Sequence, residues 1–436
     1  MTVETKIAMT AQDVRAYSKQ MNEADWMTDF RVEALEKVEA LPMPTPDKTN
    51  IKKWNFTQFP THSVESTTYD SLKDLLGEAK GLVDAEKQEN IYVQHNNTPA
   101  YVSLSEELIA RGVVLTDIFT ATRDYPELVQ QYYMTDGVAV NENKLTALHA
   151  ALMNGGVFLY VPRNVVIEEP IQVLYLHDDA DASLFNHTLI VAEESSHVTY
   201  VENYLSTVEE ANGLANIVTE VIAKDNAKVI FGAVDVLAKG FTAYVARRGM
   251  AGRDTRIEWA LGLMNDSDTI AENITHLVGD NASSDFKMVT IGRGDQKQNF
   301  TTDIVHHGKD TDAFILKHGV MTDKATAIFN GIGRIKKHAT RSNAVQESRI
   351  LMFSDKARGD ANPILLIDED EVTAGHAASV GRVDPSQLYY LMSRGISKEE
   401  AERLIVHGFL EPVVSQLPVE GVKEQLTAVI ERKVRA

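Results

Sequence analysis

The chain contains no cysteine. No disulfide, thiolate nucleophile or Cys-based zinc or iron–sulfur site can therefore be built from it alone. Long hydrophobic runs are missing too, since no apolar stretch approaches the ~18 residues that a membrane span needs. The opening "MTVETKIAMTAQDV" has no basic segment followed by an apolar run, so no secretory signal is read. Positive charge is scarce: 43 Lys and Arg face 63 Asp and Glu, a formal net charge of −20. Phosphate recognition needs a basic stripe, so this balance speaks against a nucleic-acid partner. Together these absences imply a cytoplasmic protein with neither nucleic acid nor membrane as a partner.

Catalytic signatures are also absent. There is no GxxxxGK[ST] loop to cradle a phosphate, no HExxH and no GxSxG. "GIGR" at 331–334 is a lone GxG in a strand-rich stretch, which turn glycines explain better than a nucleotide does. The sequence is otherwise that of a globular protein, 44% apolar and 24% charged over 436 residues, long enough for roughly two or three domains.

The chain divides by texture. Residues 1–160 read as a mostly helical region. "TAQDVRAYSKQMNEADWMTDFRVEALEKVEALPMPTP" spaces Phe30, Leu35, Val38 and Leu41 helically, and its Pro-rich end at 41–46 stops the helix. "SLSEELIARG", "YPELVQQYYM" and "KLTALHAALMNGG" read as further helices, the last closed by Gly155-Gly156 as a C-cap. From "GVFLYVPRNVVIEEPIQVLYL" onward, short β-rich runs alternate with Gly, Asp and Asn turns, marking residues 161–380 as a β core.

That core carries a repeat. Small turn residues Ala227, Thr255, Ser283, Thr311 and Ala339 recur every 28 residues. Apolar pairs follow the first four turns: Val229/Phe231, Ile257/Trp259, Phe286/Met288 and Phe314/Leu316. Two short strands per repeat without a long helix suggest a β-solenoid, each coil buried only against its neighbours. An antiparallel meander is the competing reading. "SSHVTYV" near 196 fits the register only with a three-residue offset.

Residues 381–436 are helical again. Asp384-Pro385 reads as N-cap and N1, Gly395 as C′, and Ser397 with Glu400 as a capping box. The second helix presents Leu404 and Ile405, and "HGFL" continues the apolar surface through Phe409 and Leu410. A last helix, about 419–433, places Val422, Leu426, Val429 and Ile430 on one face.

Among the 13 histidines, His306 and His307 are neighbours in a strand and must point to opposite faces. His318 and His338 read as structural or surface residues. "IDEDE" (367–371) reads as a solvated turn in preference to a cation site. His376, in "VTAGHAASVGRVDP", stands among Ala374, Gly375, Ala377, Ala378 and Ser379, which leave its ring accessible. Local chemistry alone favours a structural role for it.

Four stretches carry a resemblance. They are "KKWNFTQFP" (52–60), "KLTALHAALMNGGVFLYVPRNVVIEEPIQVLYL" (144–176), "GHAASVGRVDPSQLYYLMSRGIS" (375–397) and "EEAERLIVHGFLEPVV" (399–414). They resemble the SufB/SufD family of iron–sulfur cluster assembly proteins over nearly the whole chain, and within it the SufD branch. The resemblance implies a right-handed parallel β-helix flanked by helical regions, mainly β in class. It implies a non-catalytic scaffold of the SufBCD complex, not an enzyme. Its partners would be a SufB-like paralogue and a SufC-like ABC ATPase docked on the C-terminal helices, with a homodimer possible in isolation. Leu404, Ile405, Phe409 and Leu410 are then the expected partner-binding residues. No cofactor is expected to stay on this chain alone; a transient iron–sulfur cluster would form at the interface with SufB. His376 falls at the family's functional histidine and is the expected interface and metal-ligating residue. Many relatives carry a cysteine two residues earlier, where Ala374 stands here, so a thiolate from this chain is excluded. A SufB role, which needs a cysteine, is excluded for the same reason. Two other readings remain at this stage: a solenoid enzyme acting on polysaccharide, and an interaction protein without metal chemistry.

Overall fold

The computed structural model describes residues 7, 9–75, 77, 79, 82–83 and 88–435. Among these, the N-terminal part contributes helices α1 (Ala11–Gln20), α2 (Asp25–Val38), α3 (Glu106–Ala110), α4 (Ile118–Asp124), α5 (Pro126–Tyr132) and α6 (Lys144–Leu152). Its strands are β1 (Ile91–His95), β2 (Thr98–Ser103) and β3 (Val114–Asp117). Then come β4 (Gly155–Val161), β5 (Ile171–His177), β6 (Asn186–Ala192), β7 (His197–Ser206), β8 (Leu214–Ala223), β9 (Lys228–Val236), β10 (Thr242–Ala251) and β11 (Arg256–Leu263). The series continues through β12 (Asp268–Leu277), β13 (Ser283–Gly292), β14 (Lys297–His306), β15 (Asp312–Met321), β16 (Thr326–Ile335), β17 (Asn343–Met352), β18 (Arg358–Ile367) and β19 (Thr373–Arg382). Three helices end the chain: α7 (Pro385–Ser393), α8 (Lys398–Val414) and α9 (Glu420–Arg435).

From β4 onward, successive strands alternate between two sheets. The first runs β19-β17-β15-β13-β11-β9-β7-β5-β1-β2, and the second runs β18-β16-β14-β12-β10-β8-β6-β4-β3. From β4 to β19 the strands pair with one another in parallel, and each from β6 to β17 pairs with the strand two before and two after it. This is a parallel β-solenoid of about 8 turns, as the repeat implied. The sheets also recruit β1, β2 and β3 from chain before residue 161, where the sequence suggested mostly helix.

Inward side chains stack in columns. Tyr200 lies opposite Phe231, Phe231 opposite Trp259, Trp259 opposite Phe286, and Phe286 opposite Ile315. Each is at most 2% exposed, and burying such a side chain contributes on the order of 1.5–3 kcal/mol. The fourth sequence pair sits the other way round. Ala313 and Ile315 face inward, whereas Phe314 and Leu316 pack outside against the C-terminal helices.

The turns explain this slip. Along one side of the solenoid the turns pass through a left-handed residue: Asn164, Ser195, Asn226, Asp254, Asn281, Asp310 and Arg341. Asn and Asp tolerate that conformation best among non-glycine residues. Their side chains ladder between coils, from Asn226 to Ser195 across 31 residues and from Asn281 to Asp254 across 27. The ladder from Arg341 to Asp310 spans 31 again. The repeat is thus not a constant 28. Ala282, not Ser283, is the buried small residue of its turn. Ala339 belongs to a longer turn with a second left-handed residue, His338.

Each sheet has one outer face covered. On the second sheet, Phe158, Val218, Tyr244 and Ile270 pack against the N-terminal helices, Trp54 and Phe56. On the first, Val201, Val234, Val289 and Leu316 pack against α8 and α9 through Val406, Val413, Val422 and Leu426. Gly155 and Gly156 do not cap α6, which ends at Leu152 with Met153 as its C-cap; they open β4 instead. At Gly156 (φ +129°) a Cβ would lie 2.0 Å from the His187 carbonyl oxygen, so only glycine fits.

Candidate functional site

The solenoid is open at its C-terminal end. Among the described residues β19 pairs only with β17 and β18 only with β16, so each leaves one strand edge without a partner. Upstream strands of the core are largely buried, but every residue of β18 and β19 is exposed or half-buried. Apolar side chains share this exposure: Ile364, Leu366, Ile367 and Val380 are 36–41% exposed. A long apolar edge is an association site unless it is blunted by charge, proline or a covering element. Pro363 lies in β18, but among the described residues no helix covers the end coil.

His376 lies in this coil, in a particular place. It is opposite Gln346, which is opposite Ile315, so it continues the inward column that runs back to Tyr200. In every earlier coil that position is buried by the next one. Here nothing follows, and the imidazole is exposed at the mouth of the solenoid. Ala374 and Ala378 flank it on the same face, opposite Ala344 and Ser348. Gly375, Ala377 and Ser379 lie on the other face, and a Cβ added at Gly375 would meet open space.

The next inward column is polar as well. Lys317 lies opposite Ser348, which is opposite Ala378. The Lys317 amine donates to the Asn330 carbonyl (2.7 Å) and sits over the Phe329 ring. Burial pushes its pKa down to about 7. Among the described residues no three His, Asp or Glu side chains converge to hold a metal ion. His376 would therefore need ligands from another chain.

Comparison with known proteins agrees with this architecture. The family model for the SufBD core domain of the SUF iron–sulfur cluster assembly system matches residues 175–409, and that for the SufBD N-terminal region matches 11–173. The chain belongs to the SufBD family. It is 60% identical over its whole length to the iron–sulfur cluster assembly protein SufD of Bacillus subtilis, covering all of that protein too. It is 29% identical to an iron–sulfur cluster assembly SufBD family protein of Staphylococcus haemolyticus and 27% identical to one of Staphylococcus saprophyticus. In both, 95% of this chain and 91% of the relative are covered. The chain is an iron–sulfur cluster assembly protein of this family, on the SufD side, as its lack of cysteine suggested.

Just beyond β19 the helical tail forms a second exposed surface. Asp384 caps α7 by accepting from Ser386 N, Pro385 is N1, and Gly395 (φ +86°) follows the helix end. No residue of α7 is buried; Tyr389 is 74%, Tyr390 57% and Met392 45% exposed. Ser397 then caps α8, accepting from Glu400 N at 3.2 Å. The four expected partner-binding residues separate here. Leu404 is 41% exposed and Ile405 half-buried. Phe409 stacks on His318 and its carbonyl accepts from His318 Nδ1 (2.8 Å), while Leu410 is 1% exposed. Phe409 and Leu410 thus face the solenoid. Tyr389, Tyr390 and Met392 were not singled out from the sequence, although "LYYLM" after the Asp-Pro cap was visible there.

The remaining histidines sort as their neighbours dictate. His306 points inward, 2.7 Å from the Thr311 hydroxyl, and burial lowers its pKa to about 4. His307 points outward. His338 occupies a turn where its amide donates to Glu369, and Lys337 lies 3.5 Å from the same carboxylate. The acidic run is thus tied into turn contacts. A whole buried cluster was missed: His149, His187 and Glu220 join in series between the helical region and the second sheet.

Proposed function

We propose that this chain is a non-catalytic scaffold subunit of a SufBCD-type cluster assembly complex. Its open solenoid end would pair with a SufB-like paralogue, and its α7–α8 surface would dock a SufC-like ATPase. The observation that carries this reading is the unfinished inward column at His376, flanked by two bare strand edges and exposed apolar side chains. A partner solenoid adding a coil would bury that column and bring its own residues to the imidazole. A neutral imidazole is a borderline ligand that suits iron and complements a partner thiolate. The nascent iron–sulfur cluster is cargo at that interface, and this chain holds no cluster stably by itself. Self-pairing through the same edges would give a homodimer when the paralogue is absent. The composition and the family's work fit the cytoplasm.

Co-expression with SufB-like and SufC-like proteins tests this reading, followed by native mass spectrometry and iron and sulfide analysis. The His376→Ala complex is expected to assemble with both partners and to lose cluster formation. If it builds clusters normally, His376 is not a ligand. If the wild-type chain captures neither partner, the scaffold reading fails.

A further inference from the structure

The outer face of the second sheet carries an imidazole pair that cluster assembly, as proposed, does not use. His276 is the penultimate residue of β12, and His307 directly follows the last residue of β14. The two strands are parallel neighbours with Leu277 opposite His306. The His307 amide donates to the Leu277 carbonyl at 2.9 Å. Both rings therefore sit outside the solenoid, His276 half-buried and His307 exposed. His276 Nδ1 and His307 Nε2 are 3.1 Å apart, with ring centroids 5.3 Å apart. One ring presents a lone pair to the N–H of the other, so the pair is not two imidazolium ions.

The same separation suits chelation. Two nitrogens 3.1 Å apart, each about 2.0–2.1 Å from one zinc ion, subtend roughly 95–100° at the metal. That angle lies between octahedral and tetrahedral values. The nearby guanidiniums are already neutralised: Arg248 by Glu142 (3.0 Å) and Glu272 (3.4 Å), Arg334 by Asp303 (2.8 Å). No third His, Asp or Glu among the described residues completes a larger group, so the other coordination positions open to solvent.

The geometry points to a bidentate surface site at His276 and His307 for a borderline divalent transition-metal ion. Imidazole ligands suit Zn, Ni, Cu and Fe, and not Mg or Ca. On binding, the shared N–H proton moves to the outer nitrogen of its ring, and the two neutral imidazoles lose no net proton. Each nitrogen then gives its lone pair to the metal in place of a water.

Calorimetric titration of the full-length, chelator-treated chain with ZnCl2 tests the site, with MgCl2 as the hard-ion control. Zn2+ is expected to bind one site that Mg2+ does not fill. His276→Ala and His307→Ala should each weaken it about a hundredfold, because each leaves a single ligand where two were linked. His338→Ala, a turn histidine outside the pair, should leave it unchanged. Paramagnetic broadening by Ni2+ of both ring resonances in the wild-type chain provides a readout that needs no variant. The site is overturned if no Zn2+ binds, if both pair variants bind as the wild type does, or if Ni2+ broadens other histidines and spares these two.

Discussion

His187 Nε2 lies 3.1 Å from Glu220 Oε2, and neither side chain is reached by solvent. The neighbours and the burial together place the proton. His149 Nδ1 is 3.1 Å from the Asn216 carbonyl, so it must donate there, which leaves His149 Nε2 as an acceptor. His187 Nδ1, 3.1 Å away, then donates to it, and the neutral ring that burial favours keeps a lone pair on Nε2. Glu220 satisfies that lone pair only as a protonated acid. Its oxygens also accept from the Met134 and Val138 amides, both at 2.8 Å. Burial pushes Glu220 up to about 8 and His187 down to about 3, in line with a neutral pair.

A pH dependence of unusual sign follows. Between the ordinary value of 4.5 and the folded value of about 8, the unfolded chain has lost the Glu220 proton and the native chain keeps it. Stability from this group therefore falls as pH rises through that window, by at most roughly 1.4 kcal/mol per unit. His187 works oppositely, favouring the fold as pH rises from about 3 to 6.5, so the raw profile mixes the two. The comparison with Glu220→Gln, which keeps a donor and stays neutral, isolates the carboxyl. In urea unfolding from pH 5 to pH 8, the wild type should lose stability relative to Glu220→Gln. A constant difference across that range would mean that Glu220 is ionised in the native protein.

Lys317 gives a second profile of opposite sense. Its amine has an ordinary value of 10.5 and is lowered to about 7 by burial. As pH falls from 10.5 toward 7, the unfolded chain gains a proton that the native chain refuses, so stability falls. Lys317→Met keeps the length and removes the charge. It gives up the bond to Asn330, a cost of about 1 kcal/mol. The variant should therefore gain on the wild type as pH drops from 10 to 7, read as the shift between their urea midpoints. Parallel midpoints would show that the native amine is protonated.

The α7 surface makes a binding prediction. Tyr389 and Tyr390 contact little within this chain, and Arg394 stacks on Tyr390 at the helix end. Exposed aromatic side chains are common anchors at interfaces. Replacing both tyrosines by alanine should leave the melting temperature within about 1 °C, since no buried contact is lost. Affinity for the SufC-like ATPase should fall at least about tenfold. Leu410→Ala is the contrast: that side chain is buried, so its main cost should be stability, about 2–5 kcal/mol. If ATPase binding survives the double tyrosine variant, the docking surface lies elsewhere.

Much of this was legible in the sequence, for physical reasons. Alternating Val229/Phe231 and Ile257/Trp259 point into a core, and the Asn and Asp turns between such pairs mark where the chain must turn left-handed. Legibility stopped where coil length varied. Turn residues 27 to 31 apart look like one period when small residues fall nearby by chance, as at Ser283 and Ala339. The shift at β15 followed, because a one-residue slip in a strand exchanges its two faces. His376 was visible as an accessible histidine, but its place at the end of a buried column depends on pairing across some 30 residues of each coil. The His149–His187–Glu220 series was invisible, because its members come from a helix and two strands up to 71 residues apart in sequence, brought together only by the docking of α6 on the second sheet.

The helical tail brings the last prediction. From sequence, residues 381–436 read as a helical region that docks the ATPase subunit. The structure divides it in two. α7 buries no side chain, whereas α8 and α9 cover the outer face of the first sheet. Val406, Leu410, Val413, Val422 and Leu426 pack there on Val201, Val234, Val289 and Leu316. Gly232 and Gly262 let α9 approach closely: a Cβ at either would fall 2.7 Å from Val422 or 2.5 Å from Leu426. Ending the chain at residue 384 strips this cover and leaves apolar strands facing water, at roughly 1.5–3 kcal/mol for each large side chain uncovered. That truncation should melt at least about 10 °C lower or precipitate. Replacing only Tyr389, Tyr390 and Met392 by serine should leave the thermal transition in place while ATPase binding is lost. Differential scanning calorimetry of the two variants separates docking from stability. A residue-384 truncation that melts with the full-length chain would show that the solenoid needs no cover on this face.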